Sequence, residues 1–226
     1  MQYKWLLFDA DNTLFDYDRA ESTALSKTLS QFGVAFTPDY LTSYQRINKQ
    51  LWKDLEKGLI TPGVLGVRRF ESLFAELQLD LSPQAFSPAY LEQLATCSEL
   101  IDGAFEILQA FHGRYRLGIL TNGLKAVQQS RLASSPIRDY IEAMVISEEV
   151  GASKPHQAIF DAAFERMGRP LKSEVLMIGD SLSSDIEGGY RYGLDTCWYN
   201  PTNQSHSTDL KITYQIKSLG ELGALL

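Results

Sequence analysis

Two aspartates separated by one residue, Asp9 and Asp11, follow directly on the apolar run Lys4–Phe8 in the string FDADNTLF. Other polar residues follow apolar runs in the same way. Thr121-Asn122-Gly123 comes after Leu117–Leu120, and Lys154-Pro155 lies in the loop after Ala143–Ile146. Gly179-Asp180, with Asp185 five residues on, comes after Val175–Ile178. Carboxylates, one hydroxyl and one lysine are the parts needed for phosphoryl transfer through a covalent carboxyl phosphate. A carboxylate can attack an anionic phosphate once their repulsion is lowered, and a hard divalent cation on oxygen ligands lowers it. Asp9 and Asp180 are expected to hold that cation, with Asp185 beside them directly or through water. The backbone carbonyl of Asp11 is expected to face the same ion. Thr121 and Asn122 at one strand end and Lys154 at another are expected around the phosphate oxygens, where donors and positive charge stabilise the transferring group. Asp11 can reach the other side of the scissile bond, to protonate the leaving oxygen and then to activate water.

Taken alone, Asp9 and Asp11 read as turn formers after a strand, and Asp185 as a helix cap. Thr121, Lys154 and Asp180 at three other strand ends reverse that balance, because ligands of open parallel sheets bind beyond the carboxyl ends of the strands. Asp16, Asp18 and the pair Glu148-Glu149 are expected to be structural or solvated. Cys197 in the run Thr196–Tyr199 reads as a small buried apolar residue.

The elements that must position these residues are short apolar runs alternating with amphipathic segments. Strands are predicted at Lys4–Phe8, Leu117–Leu120, Ala143–Ile146, Val175–Ile178 and Thr196–Tyr199. Helices are predicted at Phe105–Phe111, Lys125–Leu132 and Ala158–Met167. Such alternation implies an α/β fold, a Rossmann-like parallel sheet with helices on both faces. From Asp18 to Cys97 no strand is visible, only four helical patterns. Asp18 with Glu21 resembles a capping box with Gly33 as the stop. Thr37-Pro38 and Thr61-Pro62 each place an N-cap before a proline at the first helical position. An all-helical insert at residues 17–97 therefore interrupts a core formed by residues 1–16 and 98–226, and Asn200–Asp209 is expected to be a surface loop.

Across 226 residues, 21 Lys and Arg against 28 Asp and Glu give a net charge of -7, which disfavours a nucleic-acid polymer as partner. Cys97 and Cys197 lie far apart, and His112, His156 and His206 are scattered, so a zinc or redox centre is not expected. The N-terminal apolar run is too short for a signal segment, and no run approaches a membrane span. A cytoplasmic protein with no membrane partner is expected, and its oligomeric state is left open.

The ordered residues resemble the haloacid dehalogenase-like (HAD) superfamily of phosphohydrolases. Its DxDxT motif is matched by Asp9, Asp11 and Thr13, its strand-end hydroxyl by Thr121, its lysine by Lys154 before Pro155, and its GDxxxxD motif by Gly179, Asp180 and Asp185. The resemblance implies that Asp9 is the nucleophile, Asp11 the acid/base, and that Mg²⁺, or Mn²⁺, is held by Asp9, the Asp11 carbonyl and the acids Asp180 and Asp185. It also implies that the helical insert is a C1-type cap. FDADNTLF, YQRINKQLW, GILTNG, VISEEVGASKP and MIGDSLSSDIEGG are similar to the bacterial house-cleaning pyrimidine 5′-nucleotidases. That closer likeness implies small-molecule nucleoside 5′-monophosphate substrates such as dUMP, UMP and dTMP. Asn48 and Trp52, one helical turn apart in the string INKQLW, then become candidates for base selection. Tyr192 departs from the pattern, where a smaller residue is expected. The alternatives are a HAD phosphatase or mutase for phosphoglycolate or a sugar phosphate, and, in a different class, a phospho-aspartate signalling switch without turnover. Receiver domains of that class are far shorter and lack an insert after the first strand.

Overall fold

The apolar runs form strands that are buried on both faces. In the computed structural model, which describes residues 3–205 and 210–226, the strands are β1 (Trp5–Phe8), β2 (Arg116–Thr121), β3 (Ile141–Ile146), β4 (Val175–Gly179), β5 (Asp195–Tyr199) and β6 (Tyr214–Ile216). They make one sheet in the order β3-β2-β1-β4-β5-β6, and every pairing is parallel. β1 and β4 are buried at every position, as strands covered on both sides must be. From β1 the chain builds β2 and β3 on one side, then crosses to add β4, β5 and β6 on the other. The loops leaving β1 and β4 therefore diverge and open a crevice at the carboxyl ends of the strands. β6 was not visible in the sequence. It is three residues long with only Ile216 buried, too short to show a period. The predicted loop Asn200–Asp209 lies partly outside the described residues.

The insert consists of α1 (Tyr17–Gln31), α2 (Pro38–Glu56), α3 (Pro62–Leu77) and α4 (Pro83–Ala95). The chain forms two compact units, Met1–Tyr17 with Ser98–Leu226, and Asp18–Cys97. Pro38, Pro62 and Pro83 open three of the helices, where a missing N–H costs nothing. Thr61 and Ser82 cap theirs by accepting from Val64 N at 3.4 Å and Ala85 N at 3.3 Å. Thr37 does not, since its side chain makes no cap hydrogen bond. The expected capping box at Asp18 is also absent: α1 already begins at Tyr17, and the Glu21 carboxylate is buried, accepting from Asn48. Inside this unit Phe70 packs on Phe86, Tyr90 and Tyr44, with ring centroids 4.8, 5.1 and 5.6 Å away.

In the larger unit follow α5 (Ala104–Phe111), α6 (Lys125–Ser134), α7 (Ser147–Val150), α8 (Gln157–Arg166), α9 (Glu187–Tyr192) and α10 (Leu222–Leu225). One face of the sheet packs Leu6, Phe8, Ile119 and Ile178 with Ile107, Leu108 and Phe111 of α5 and Leu222 of α10. The other packs Trp5, Leu7, Val145 and Met177 with Ile159, Phe160 and Ala163 of α8. Alternate residues of β1 thus serve opposite layers, each large apolar side chain contributing about 1.5–3 kcal/mol when fully buried. Tyr192 stacks on Phe160 at 5.2 Å and donates its hydroxyl to Asp161 at 2.8 Å, so α8 accommodates the larger residue. Cys97 and Cys197 are both buried, and neither is in a disulfide. Among the described residues, no helix is long and apolar enough to cross a membrane.

Candidate active site

The chain leaves β1 in a tight loop. The N–H groups of Leu14 and Phe15 both reach Ala10 O, at 2.9 and 2.8 Å. Asn12 takes a left-handed conformation, φ 58°, which asparagine tolerates better than most residues. Its side-chain oxygen accepts from Tyr17 N at 3.1 Å. Asp9 at the start of this loop is nearly buried. Lys154 approaches it from the segment after β3: Nζ donates to Asp9 Oδ1 at 2.5 Å, Leu120 O at 2.6 Å and Asp185 Oδ1 at 2.7 Å. All three ammonium hydrogens are thereby used.

Asn122 is expected among the phosphate-binding residues; its side chain braces that lysine, accepting from Lys154 N at 2.8 Å and donating to Lys154 O at 3.0 Å. Thr121 is buried at the end of β2 and accepts from Gly123 N at 3.0 Å. That bond leaves its hydroxyl hydrogen to donate. Glu148 and Glu149, expected to be structural or solvated, sit on α7 and tie down the start of α6. Glu148 accepts from Lys125 N at 2.7 Å, and Glu149 accepts from Gln129 Nε2 and pairs with Lys125 Nζ, both at 3.2 Å.

The turn after β4 carries the remaining acids. Gly179 is required by contact: a Cβ there would stand 2.2 Å from Asp185 Oδ2. Asp185 is fully buried, with Oδ2 accepting from Ser181 N at 3.0 Å. Trp198 Nε1 donates to Asp180 O at 2.9 Å and fixes that backbone. Thr13 Oγ1 lies 3.5 Å from both Asp9 Oδ2 and Asp180 Oδ1.

Three carboxylates are grouped here, and two of them, Asp9 and Asp185, pair with one ammonium. Burial, with Asp185 and Asp11 adding to it against the opposing pull of Lys154, pushes the Asp9 carboxyl up to about 7. Burial with the Asp9 and Asp185 charges pushes Asp180 up to about 8. For Lys154, burial works against the charge, but Asp185 and Asp9 outweigh it and its pKa is raised. Asp9, Asp180 and Asp185 each bring a carboxylate oxygen within 4.8 Å of the others. An all-oxygen donor set with excess negative charge fits a hard divalent cation.

The Asp11 carboxylate is held from α6. Oδ2 accepts from Gln128 Nε2 at 2.6 Å, and Oδ1 accepts from Arg131 Nη1. Sequence reasoning missed Gln128 and Arg131. The available signal was two polar residues three apart on a helix that starts just after Gly123; the structure shows both of them buried.

In the helical unit Asn48 is buried and donates to Glu21 Oε1 at 2.9 Å, while Trp52 is partly exposed. Burial pushes the Glu21 carboxyl up to about 7. Arg69, also buried, donates to Tyr44 Oη at 3.3 Å and lies over the Phe70 and Tyr90 rings. Asn48 thus belongs to a buried polar network inside its own unit.

Comparison with known proteins agrees with this geometry. Residues 3–193 match the haloacid dehalogenase-like hydrolase family. The chain is 42% identical over 226 residues to the pyrimidine 5′-nucleotidase YjjG of Escherichia coli, covering 100% of this chain and 99% of that protein. It is 38% identical to the pyrimidine 5′-nucleotidase PynA of Streptococcus pneumoniae, covering 98% and 94%. A crystal structure of the Bacillus subtilis HAD hydrolase YfnB bound to magnesium superposes with a TM-score of 0.94 at 34% identity, covering 100% of this chain and 99% of that one. The family match over residues 3–193 and the 42% identity over the whole length lead to one conclusion: the chain belongs to the haloacid dehalogenase-like hydrolase family.

Proposed function

We propose that the protein is a Mg²⁺-dependent phosphomonoesterase that hydrolyses pyrimidine nucleoside 5′-monophosphates through an aspartyl phosphate. The observation that carries the chemistry is the Asp9 carboxylate at the carboxyl end of β1, 2.5 Å from Lys154 Nζ and grouped with Asp180 and Asp185. Full-length similarity to two pyrimidine 5′-nucleotidases supports the substrate class.

In the first step Asp9 attacks phosphorus and the bond from phosphorus to the ester oxygen breaks. Its electron pair stays on the leaving oxygen, which takes a proton from Asp11. In the second step water attacks the aspartyl phosphate and gives a proton to Asp11. The bond from phosphorus to the Asp9 oxygen then breaks, restoring the carboxylate and releasing inorganic phosphate. Thr121 donates to a phosphate oxygen, Lys154 brings its positive charge beside the phosphate, and Asn122 holds Lys154. Asp9, Asp180, Asp185 and the Asp11 carbonyl are the groups assigned to Mg²⁺, with Mn²⁺ sharing the same ligand preference. The ion supplies positive charge that offsets repulsion between nucleophile and phosphate. Asp185, already bonded to Lys154 and Ser181, is assigned the weaker, indirect share.

The unit Asp18–Cys97 is assigned the role of cap. Trp52 on α2 offers a flat apolar surface for a base, and Asn48 a polar group that would meet the base only by giving up its bond to Glu21. A phosphate-release panel with Mg²⁺ tests the reading. dUMP, UMP and dTMP should turn over faster than purine monophosphates, phosphoglycolate or sugar phosphates. Replacing Asn48 or Trp52 by Ala should raise KM for dUMP more than for p-nitrophenyl phosphate. Sugar phosphates ranking first would end the nucleotidase assignment, and no release from any ester would end the phosphatase assignment.

A further inference from the structure

We propose that Gln128 and Arg131, three residues apart on α6, are positioning residues that hold both oxygens of the Asp11 carboxylate and so aim it for proton transfer. The proposal rests on the phosphomonoesterase reading above and assigns a role to two side chains which that reading does not use.

Arg131 is wholly buried and Gln128 nearly so. Burying a guanidinium is costly unless it is paired, and its ion-pair partner here is Asp11. The Arg131 guanidinium also lies over the Phe15 ring, 4.6 Å from its centroid, which fixes its plane against the loop that carries Asp11. Gln128 takes the second oxygen at 2.6 Å. One donor on each oxygen defines both the direction of the carboxylate and its rotation about the side-chain bond, whereas a single bond would leave it free to turn.

The helix that presents the two donors is set independently of Asp11. Glu148 and Glu149 anchor its first turn. Gly123 clears the space for Gln128, since a Cβ there would stand 2.1 Å from Gln128 Nε2 and 2.8 Å from its Cγ. Residues three apart on a helix share a face, so both donors reach one carboxylate without distortion. A tie that served only to join α6 to the loop would need one such bond. Two donors sorted onto the two oxygens of a proton-transfer group fit a positioning role.

Leaving-group chemistry separates positioning from simple support. A nucleoside alkoxide must be protonated as it leaves, whereas p-nitrophenolate leaves without a proton. The test measures first-turnover leaving-group release and steady-state turnover for dUMP and p-nitrophenyl phosphate, in the Mg²⁺-loaded wild type, Gln128→Leu, Arg131→Met and Arg131→Lys. Loss of aimed general acid catalysis should slow the first turnover of dUMP by about 100-fold in Arg131→Met, within the range such catalysis contributes. Gln128→Leu should show a smaller loss in the same direction, and Arg131→Lys an intermediate one. For p-nitrophenyl phosphate the first turnover should persist near the wild-type rate. It should appear as a burst of one p-nitrophenol per site followed by slow turnover, because water activation also needs Asp11. KM for dUMP should change less than the rate. Equal loss of first turnover with both substrates, or no loss with either, overturns the proposal. If Arg131→Met fails to fold, Gln128→Leu, which removes no charge from the interior, decides between the same outcomes. Absence of first turnover in the wild type on both substrates would instead refute the phosphatase reading.

Discussion

Substituting Gly179 by Ala perturbs the centre of the site with a single methyl group. The new Cβ would stand 2.2 Å from Asp185 Oδ2, 2.4 Å from its Cγ and 2.6 Å from its Cβ. Rotating the carboxylate cannot relieve contact with its own Cβ, so Gly179→Ala must displace the whole Asp185 side chain and the turn beneath it. Two hydrogen bonds then fail, Lys154 Nζ to Asp185 Oδ1 at 2.7 Å and Ser181 N to Asp185 Oδ2 at 3.0 Å. Hydrogen bonds to charged groups contribute about 1.5–3 kcal/mol each, and forcing a methyl into a packed interior costs about 1–3 kcal/mol. Taken at the low end of both ranges, the substitution destabilises by about 4 kcal/mol. For a chain of this size that lowers the melting temperature by about 8–16 °C. Moving one acid of the donor set should also raise the Mg²⁺ concentration needed for half-maximal phosphate release, by about 10-fold. Thermal unfolding followed by circular dichroism and a Mg²⁺ titration of activity measure the two effects. Gly63→Ala, where a Cβ meets nothing within 4 Å, is the control and should change stability by less than about 1 kcal/mol. A Gly179→Ala protein that melts within about 2 °C of wild type and needs no more Mg²⁺ would refute the reasoning.

Asp9→Asn keeps the shape of the nucleophile and removes its charge. Turnover should fall by about 10⁴-fold or more while circular dichroism is unchanged, and near wild-type turnover would sink the covalent-aspartate mechanism. EDTA should abolish phosphate release and Mg²⁺ or Mn²⁺ restore it, with Asp180→Ala raising the metal requirement more than Asp185→Ala; full activity after rigorous chelation would contradict the donor set. Glu21 is held at about 7 against an ordinary 4.5, chiefly by burial and then by Asp18, against hydrogen bonds from Gln45 and Asn48 and the charge of Arg69. The folded state therefore binds this proton more tightly, so the stability it contributes is full below pH 4.5 and is lost as pH rises through 7, by about 3 kcal/mol at most. Glu21→Gln should accordingly melt higher than wild type at pH 8 and gain little at pH 4.5, whereas an equal difference at both pH values would show that Glu21 does not titrate as described.

The candidate site was legible in the sequence because each motif follows a strand before the next long helix begins. In a parallel sheet, the carboxyl ends of all strands open on the same side. Asp9, Thr121, Lys154, Asp180 and Asp185 could be gathered without knowing any side-chain direction, and the helical insert stood out by its period and its Thr-Pro starts. Short, weakly patterned pieces were not legible: β6 has three residues and one buried side chain. The direction of each polar side chain was decided only by packing. Asn122 turned to the Lys154 backbone, and Glu21 left the helix start to meet Asn48 across 27 residues of chain. Arg131 found Asp11 across 120 residues. A buried polar group must find a partner wherever the fold brings one within reach, and that partner is set by the crossing of elements distant in sequence. Local spacing therefore determined which residues meet at the sheet edge, while the tertiary structure alone determined which of them hold the others in place.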